Sequence, residues 1–100
     1  MYSSPQKLSD EDVSELRRDA GHWLKRLREA QGLSQRDLAE KVGVEYYTFI
    51  SQVESGRGRI PPDRYRAWAN ALGVPPRDFV IRLMRNYDPV TYRILFDKAS

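Results

Sequence analysis

Cysteine is absent from the 100-residue sequence. Its absence excludes a disulfide scaffold, a cysteine-ligated zinc or iron-sulfur centre and a thiol nucleophile. Histidine occurs once, as His22, too rarely for a multi-histidine metal site or a histidine-based catalytic constellation. No glycine-rich phosphate loop is present, and the 14 carboxylates are spread along predicted helices and caps. No catalytic residue, metal or cofactor is therefore expected. Long apolar runs are also missing. Stretches such as Phe79-Val80-Ile81 are far too short to cross a bilayer. Met1-Tyr2-Ser3-Ser4-Pro5 lacks the basic start and apolar continuation of a secretory signal. The expectation is a soluble, cytoplasmic protein with no membrane contact.

What is present suits a folded core. Hydrophobic residues make up 40% of the chain and 11% are aromatic, enough for one domain of this length. The 17 basic and 14 acidic side chains give a formal charge of +3. Their distribution is uneven: residues 1–20 hold three bases against five acids, a local charge of −2, which leaves +5 on residues 21–100. Such asymmetry fits a basic binding surface with an acidic appendage, as well as ordinary solvated helices.

The pattern reads as helical throughout. Residues 1–8 are polar and unpatterned and are expected to form a disordered arm. Ser9 with Asp12 makes a capping-box start, with Leu8 and Val13 placed as a hydrophobic staple. Val13, Leu16, Ala20, Trp23, Leu27 and Ala30 then recur at helical spacing, widened by Leu24, and predict one helix from about Asp10 to Gln31. Residues 9–20 form its N-terminal extension. Gly21, unfavourable inside a helix by about 1 kcal/mol, marks where it would break if it were two. Gly32 supplies the stop. Ser34 caps a second helix, Gln35 to Val42, with Leu38, Ala39 and Val42 inward. A third runs from Glu45 to Ser55, Glu45 serving as its cap. Arg57-Gly58-Arg59-Ile60-Pro61 is a basic turn. Pro62 suits the first position of a fourth helix, in which Tyr65, Trp68, Ala69 and Leu72 share a face. Phe79, Val80, Leu83, Met84 and Tyr87 mark a fifth, and Asp88-Pro89 opens a short sixth that ends near Phe96. No stretch alternates with period two for long enough to predict a strand. Trp23 and Trp68 are expected in the core or an interface, Tyr46 in packing, and His22 on the surface.

Function is carried by residues 33–56. Two short helices joined at Gly43, with small Ala39 facing inward, describe a helix-turn-helix in which one helix closely approaches another. The segments Leu33-Ser34-Gln35-Arg36-Asp37-Leu38-Ala39, Gly43-Val44, Val53-Glu54-Ser55-Gly56 and Ala71-Leu72-Gly73-Val74 together resemble the Cro/C1-type (XRE, lambda-repressor-like) helix-turn-helix domain over about Gly21 to Phe79. The resemblance implies an all-α fold of five to six helices. It also implies sequence-specific binding to double-stranded DNA, usually as a dimer that regulates transcription. Between Gly43 and Glu54 the chain holds one residue more than most members of that family. The resemblance further pairs Glu54 with Arg28 on the first helix. If buried, this pair orients the recognition helix; if exposed, it is two surface charges worth under about 1 kcal/mol.

Helix geometry gives a second view of the reading face. At about 100° per residue, Tyr46, Phe49, Ile50 and Val53 cluster on one side, whereas Thr48, Ser51 and Ser55 lie opposite, flanked by Tyr47 and Gln52. Tyr47, Thr48, Ser51 and Gln52 are therefore the base-reading candidates. The Gln52 amide suits bidentate recognition of adenine, and Thr48 or Ser51 suits a base edge or a thymine methyl. Gln35 and Arg36, at the positive end of the second helix, and Arg57 and Arg59, just after the third, are the phosphate candidates. Arg64 and Arg66 are weaker ones.

The reading is a DNA-binding transcriptional regulator, a repressor acting as a homodimer on a palindromic operator. The competing reading is an antitoxin or anti-activator that holds a protein partner through its acidic extension or C-terminal helices. RNA binding lacks the aromatic sheet surface or G-x-x-G loop of the usual RNA readers. Residues 80–100 are the dimerisation candidates, with Tyr87, Tyr92, Leu95 and Phe96 at the interface beside Val80, Met84 and Ile94. The stripe of Val13, Leu16 and Ala20 is the alternative surface.

Overall fold

The computed structural model describes residues 9–97. The expected arm 1–8, with the Leu8 half of the staple, and residues 98–100 lie outside the described residues. Among the described residues the secondary structure is entirely helical, in chain order α1 (Asp10–Ala30), α2 (Gln35–Val42), α3 (Thr48–Ser55), a 3₁₀ turn (Pro62–Arg64), α4 (Tyr65–Leu72), α5 (Pro76–Tyr87) and α6 (Pro89–Phe96). No described helix is long and apolar enough to cross a membrane.

Local chemistry sets most of the boundaries. Ser9 and Ser34 each accept the N–H of the aspartate three residues on, and those aspartates, Asp12 and Asp37, accept the serine N–H in return. The two boxes satisfy N–H groups that a helix start leaves unpaired. Hydrogen bonds from the Ser34 backbone and hydroxyl hold the Asp37 carboxyl below its ordinary range. Asp88 caps α6 through the Thr91 N–H, with Pro89 at its first position.

Two expected boundaries move. α3 starts at Thr48, not Glu45; its cap position is Tyr47, without a side-chain bond, so Glu45 does not cap it. The connection Gly43–Tyr47 between α2 and α3 is five residues long. Tyr46 consequently lies outside the helix and is 67% exposed, so it joins no packed face. The fourth helix divides into the 3₁₀ turn and α4, because Pro62 begins a tight turn that α4 continues from Tyr65.

Side chains from five helices meet in one cluster. Ala20 and Leu24 of α1, Leu38 and Val42 of α2, Ile50 and Val53 of α3, Trp68 and Leu72 of α4, and Phe79 and Leu83 of α5 are buried together, joined by Ile60 from the turn after α3. Removal of apolar surface from water is the main drive, at about 25 cal/mol per Å². Trp23 is half-buried against Phe79, with ring centroids 5.6 Å apart.

α1 passes Gly21 without interruption because that position needs the absence of a side chain. A Cβ there collides with the Glu54 carbonyl oxygen and lies 2.6 Å from its carbonyl carbon. Gly56, at φ +86°, meets α1 in return: a Cβ on it falls 2.8 Å from the Arg18 nitrogen. The two glycines let the end of α3 rest directly on the α1 backbone.

α6 packs on α5 and buries none of its residues fully. Ile94, Leu95 and Phe96 are 62%, 60% and 44% exposed. Tyr87, expected at an interface, is instead buried, because its hydroxyl accepts the Ile60 N–H at 3.3 Å beneath the Arg59 guanidinium. Burial pushes its phenol above the ordinary tyrosine value, against the opposing Ile60 hydrogen bond and the Arg59 charge.

Candidate nucleic-acid interface

α3 presents a narrow polar stripe. Ile50, Val53 and Glu54 are buried and Phe49 is half-buried, whereas Thr48, Ser51, Gln52 and Ser55 are exposed. At about 100° per residue these four occupy one continuous arc of the helix. The arc follows from burial and is independent of any alignment.

The stripe is held from behind by Glu54. One of its carboxylate oxygens accepts from Arg28 Nε at 2.6 Å; the other accepts from Arg28 Nη2 at 3.0 Å and from Gln35 Nε2 at 3.1 Å. Arg28 Nη1 donates to the Leu33 carbonyl at 2.8 Å. Glu54 is therefore bound to α1 and α2 at once, and the Arg28 fork fixes the path of the chain between them. A bidentate guanidinium–carboxylate pair is the strongest side-chain arrangement for this purpose. The hydrogen bond to Glu54 raises the Arg28 pKa above its ordinary value, with burial acting in the opposite sense.

The far end of α3 is clasped by its own backbone. The Gln52 carbonyl accepts the N–H groups of Arg57 and Gly58, each at 3.0 Å, and the Ser55 hydroxyl at 3.1 Å. This turn leaves the Gln52 side chain exposed and places exposed Arg57 beside the stripe. At the near end, the Arg36 guanidinium lies 4.6 Å over the Tyr47 ring. That stacking joins the start of α2 to the entry of α3 by a cation–π contact.

Arg66 is exposed, whereas three other phosphate candidates have partners within the protein. Gln35 gives its amide N–H to Glu54. Arg59 is half-buried, bonded to the Tyr65 hydroxyl at 3.2 Å and stacked 4.6 Å from the Tyr87 ring centroid. Arg64 donates to the Val42 carbonyl at 3.3 Å, which satisfies an open end of α2. Sequence reasoning missed these assignments because arginines in a turn look alike until their aromatic and carbonyl neighbours are known.

Comparison with known proteins decides the family. Residues 24–79 match the family model described as Helix-turn-helix. The chain belongs to the Cro/C1-type helix-turn-helix family. As a member it is a DNA-binding transcriptional regulator. The matched span starts inside α1 and ends in α5, so the first two thirds of α1 and all of α6 lie beyond it.

No curated protein matches the chain. Among solved structures, this helix-turn-helix chain is similar to the restriction-modification controller protein C.AhdI from Aeromonas hydrophila, with 30% identity, a TM-score of 0.55, and coverage of 69% of this chain and 97% of that one. It is also similar to the clp gene regulator ClgR from C. glutamicum, with 29% identity, a TM-score of 0.56, and coverage of 68% and 87%. A second ClgR structure, from Corynebacterium glutamicum, shares the fold over 95% of this chain and 93% of its own, at 23% identity and a TM-score of 0.59.

Proposed function

We propose that this helix-turn-helix protein binds a specific duplex sequence as a homodimer on a two-fold related operator and represses transcription there. The observation that carries the reading is the exposed stripe of Thr48, Ser51, Gln52 and Ser55, set in a fixed orientation by buried Glu54. Thr48, Ser51 and Gln52, with Tyr47 at the helix entry, read base edges; Arg36 and Arg57, at the two ends of the stripe, hold the phosphate backbone. Base contacts specify and phosphate contacts position. One short recognition helix touches few base pairs, so two copies on half-sites about 34 Å apart supply the rest. The exposed Ile94, Leu95 and Phe96 of α6 support pairing through that helix. Repression is the sign expected of a dimer seated across a promoter, where it excludes other proteins.

Selection of bound fragments from random duplex DNA tests the proposal. A single palindromic motif is expected; the absence of any enriched motif overturns it and moves the weight to a protein partner held by the acidic extension or the C-terminal helices. On the selected duplex, Gln52→Ala and Thr48→Ala should weaken specific binding and relax the preference, each by about 1 to 3 kcal/mol. Arg57→Ala should weaken specific and scrambled duplexes alike and reduce the magnitude of the log-log salt slope by roughly one unit. Titrations at several salt concentrations separate the two classes.

A further inference from the structure

A groove on another face of the molecule has no part in the proposed DNA contact. It runs between α1 and the α5–α6 pair, and four arginines line it: Arg26 from α1, Arg82 and Arg85 from α5, and Arg93 from α6. Only two carboxylates, Asp19 and Asp97, share the lining, an excess of two positive charges. None of the four arginines has a carboxylate within 4.0 Å among the described residues. Like charges in excess of their counter-charges are unfavourable unless an anion joins them.

The arginine at the centre is set in place. The Arg82 guanidinium lies 4.9 Å over the Trp23 ring and donates from Nη1 to Asn86 Oδ1. Asn86 is buried and donates in turn to the Leu16 carbonyl at 2.8 Å, tying this side chain to the α1 backbone. Arg82 is half-buried, and its desolvation, then the nearby Arg85 and Arg26 charges, lower its pKa. A guanidinium carries five N–H donors in a fixed fork, so those Asn86 does not take remain for a ligand. Tyr92 and Pro89 give the groove an apolar wall.

Its position separates it from the reading stripe. Asp19, His22 and Arg26 lie roughly 100 to 160° around α1 from Gly21, the point where α3 rests. A duplex lying along α3 is on a different side of α1.

We propose that this groove binds a phosphate dianion, free or carried as a monoester by a small molecule. A phosphomonoester brings a charge of about −1.5 to −2 at pH 7 and three acceptor oxygens, which matches the excess of two and the geometry of guanidinium forks. A lone carboxylate neutralises half of that excess. Tyr92 and Pro89 supply apolar contact for the organic part of a monoester. The inference does not depend on the base-reading and phosphate residues assigned to DNA, none of which lines the groove; Pro89, Tyr92 and Arg93 share α6 with the proposed pairing surface.

The test is a titration of the full chain, free of other multivalent anions and at fixed ionic strength, with inorganic phosphate, AMP, adenosine and acetate. It is followed by the arginine Nε–Hε and backbone resonances. Expected are saturable shifts confined to Arg26, Arg82, Arg85, Arg93 and their neighbours with phosphate and AMP, and none with adenosine or acetate. Tighter binding of AMP identifies a monoester site, and equal binding identifies a site for the free anion. Arg85→Gln with Arg93→Gln, two exposed residues, should weaken binding at least tenfold with the helical content unchanged. Shifts of equal size at Arg36 and Arg57, or no saturation, overturn the proposal. So does a double variant that loses affinity for duplex DNA, which would make the groove part of the DNA track, or one that turns a dimer into a monomer, which would make it a subunit contact.

Discussion

A buried carboxylate is unfavourable unless its oxygens are met by donors, and Glu54 meets three N–H groups from two other helices. Arg28 to methionine should therefore cost about 3 to 5 kcal/mol, because it leaves a buried charge without its partner. Replacing both members, Arg28→Met with Glu54→Leu, should recover most of that stability, since apolar residues of similar volume often do as well in such places. DNA affinity should not recover, because the tie that sets the angle of α3 is then gone. Urea unfolding measured beside titration of the selected duplex checks both; full recovery of affinity would show that packing alone orients the helix. The family resemblance makes the Arg28–Glu54 pair legible in the sequence. The helix N-terminus and the family resemblance both point Gln35 at a phosphate, and nothing in one sequence says that its amide faces a carboxylate 19 positions further on.

Among the elements, the six helices and most of their ends follow from spacing and capping residues, since Ser9, Ser34, Asp88 and the apolar stripes act over three or four residues. The start of α3 does not. Glu45 has the chemistry of a cap, but the chain reaches the first helical position only at Thr48, and that register depends on how α3 lies on α1. Gly21 is the clearest case of a local cost with a remote cause. In an isolated helix alanine is better there by about 1 kcal/mol, yet in this fold a methyl group collides with the Glu54 carbonyl. Gly21→Ala should accordingly destabilise the protein by about 1 to 3 kcal/mol, the usual cost of an overpacked contact, and reduce specific DNA binding more than nonspecific binding. Thermal and urea melts decide: a more stable variant would mean that α1 and α3 are not in backbone contact.

For the molecule as a whole, the apolar end of α6 is the feature that a solitary chain leaves unused. Changing Leu95 and Phe96 together to glutamate should leave the helical content and the core intact, because both side chains are exposed. It should give a monomer that binds a full palindrome hardly better than a half-site. Sedimentation measures the first effect and paired duplex titrations the second; a variant that stays dimeric transfers the interface to Val13 and Leu16 of α1, since Ala20, the third member of that stripe, is buried in the core. Deletion of the C-terminal segment has to begin after Asp88. A chain ending at Arg85 loses Asn86 and Tyr87, which hold the Leu16 carbonyl and the Ile60 N–H, and its failure would report unfolding and not dissociation.

The carboxylate that joins α1, α2 and α3 also bears on kinetics. A recognition helix already fixed before it meets DNA loses little conformational freedom on docking, so the ordering cost that flexible readers carry is small here. Operators that fit well and badly should then be met at similar rates and released at different ones. Discrimination between sites would be written in residence times, with the association rate set mainly by charge and salt.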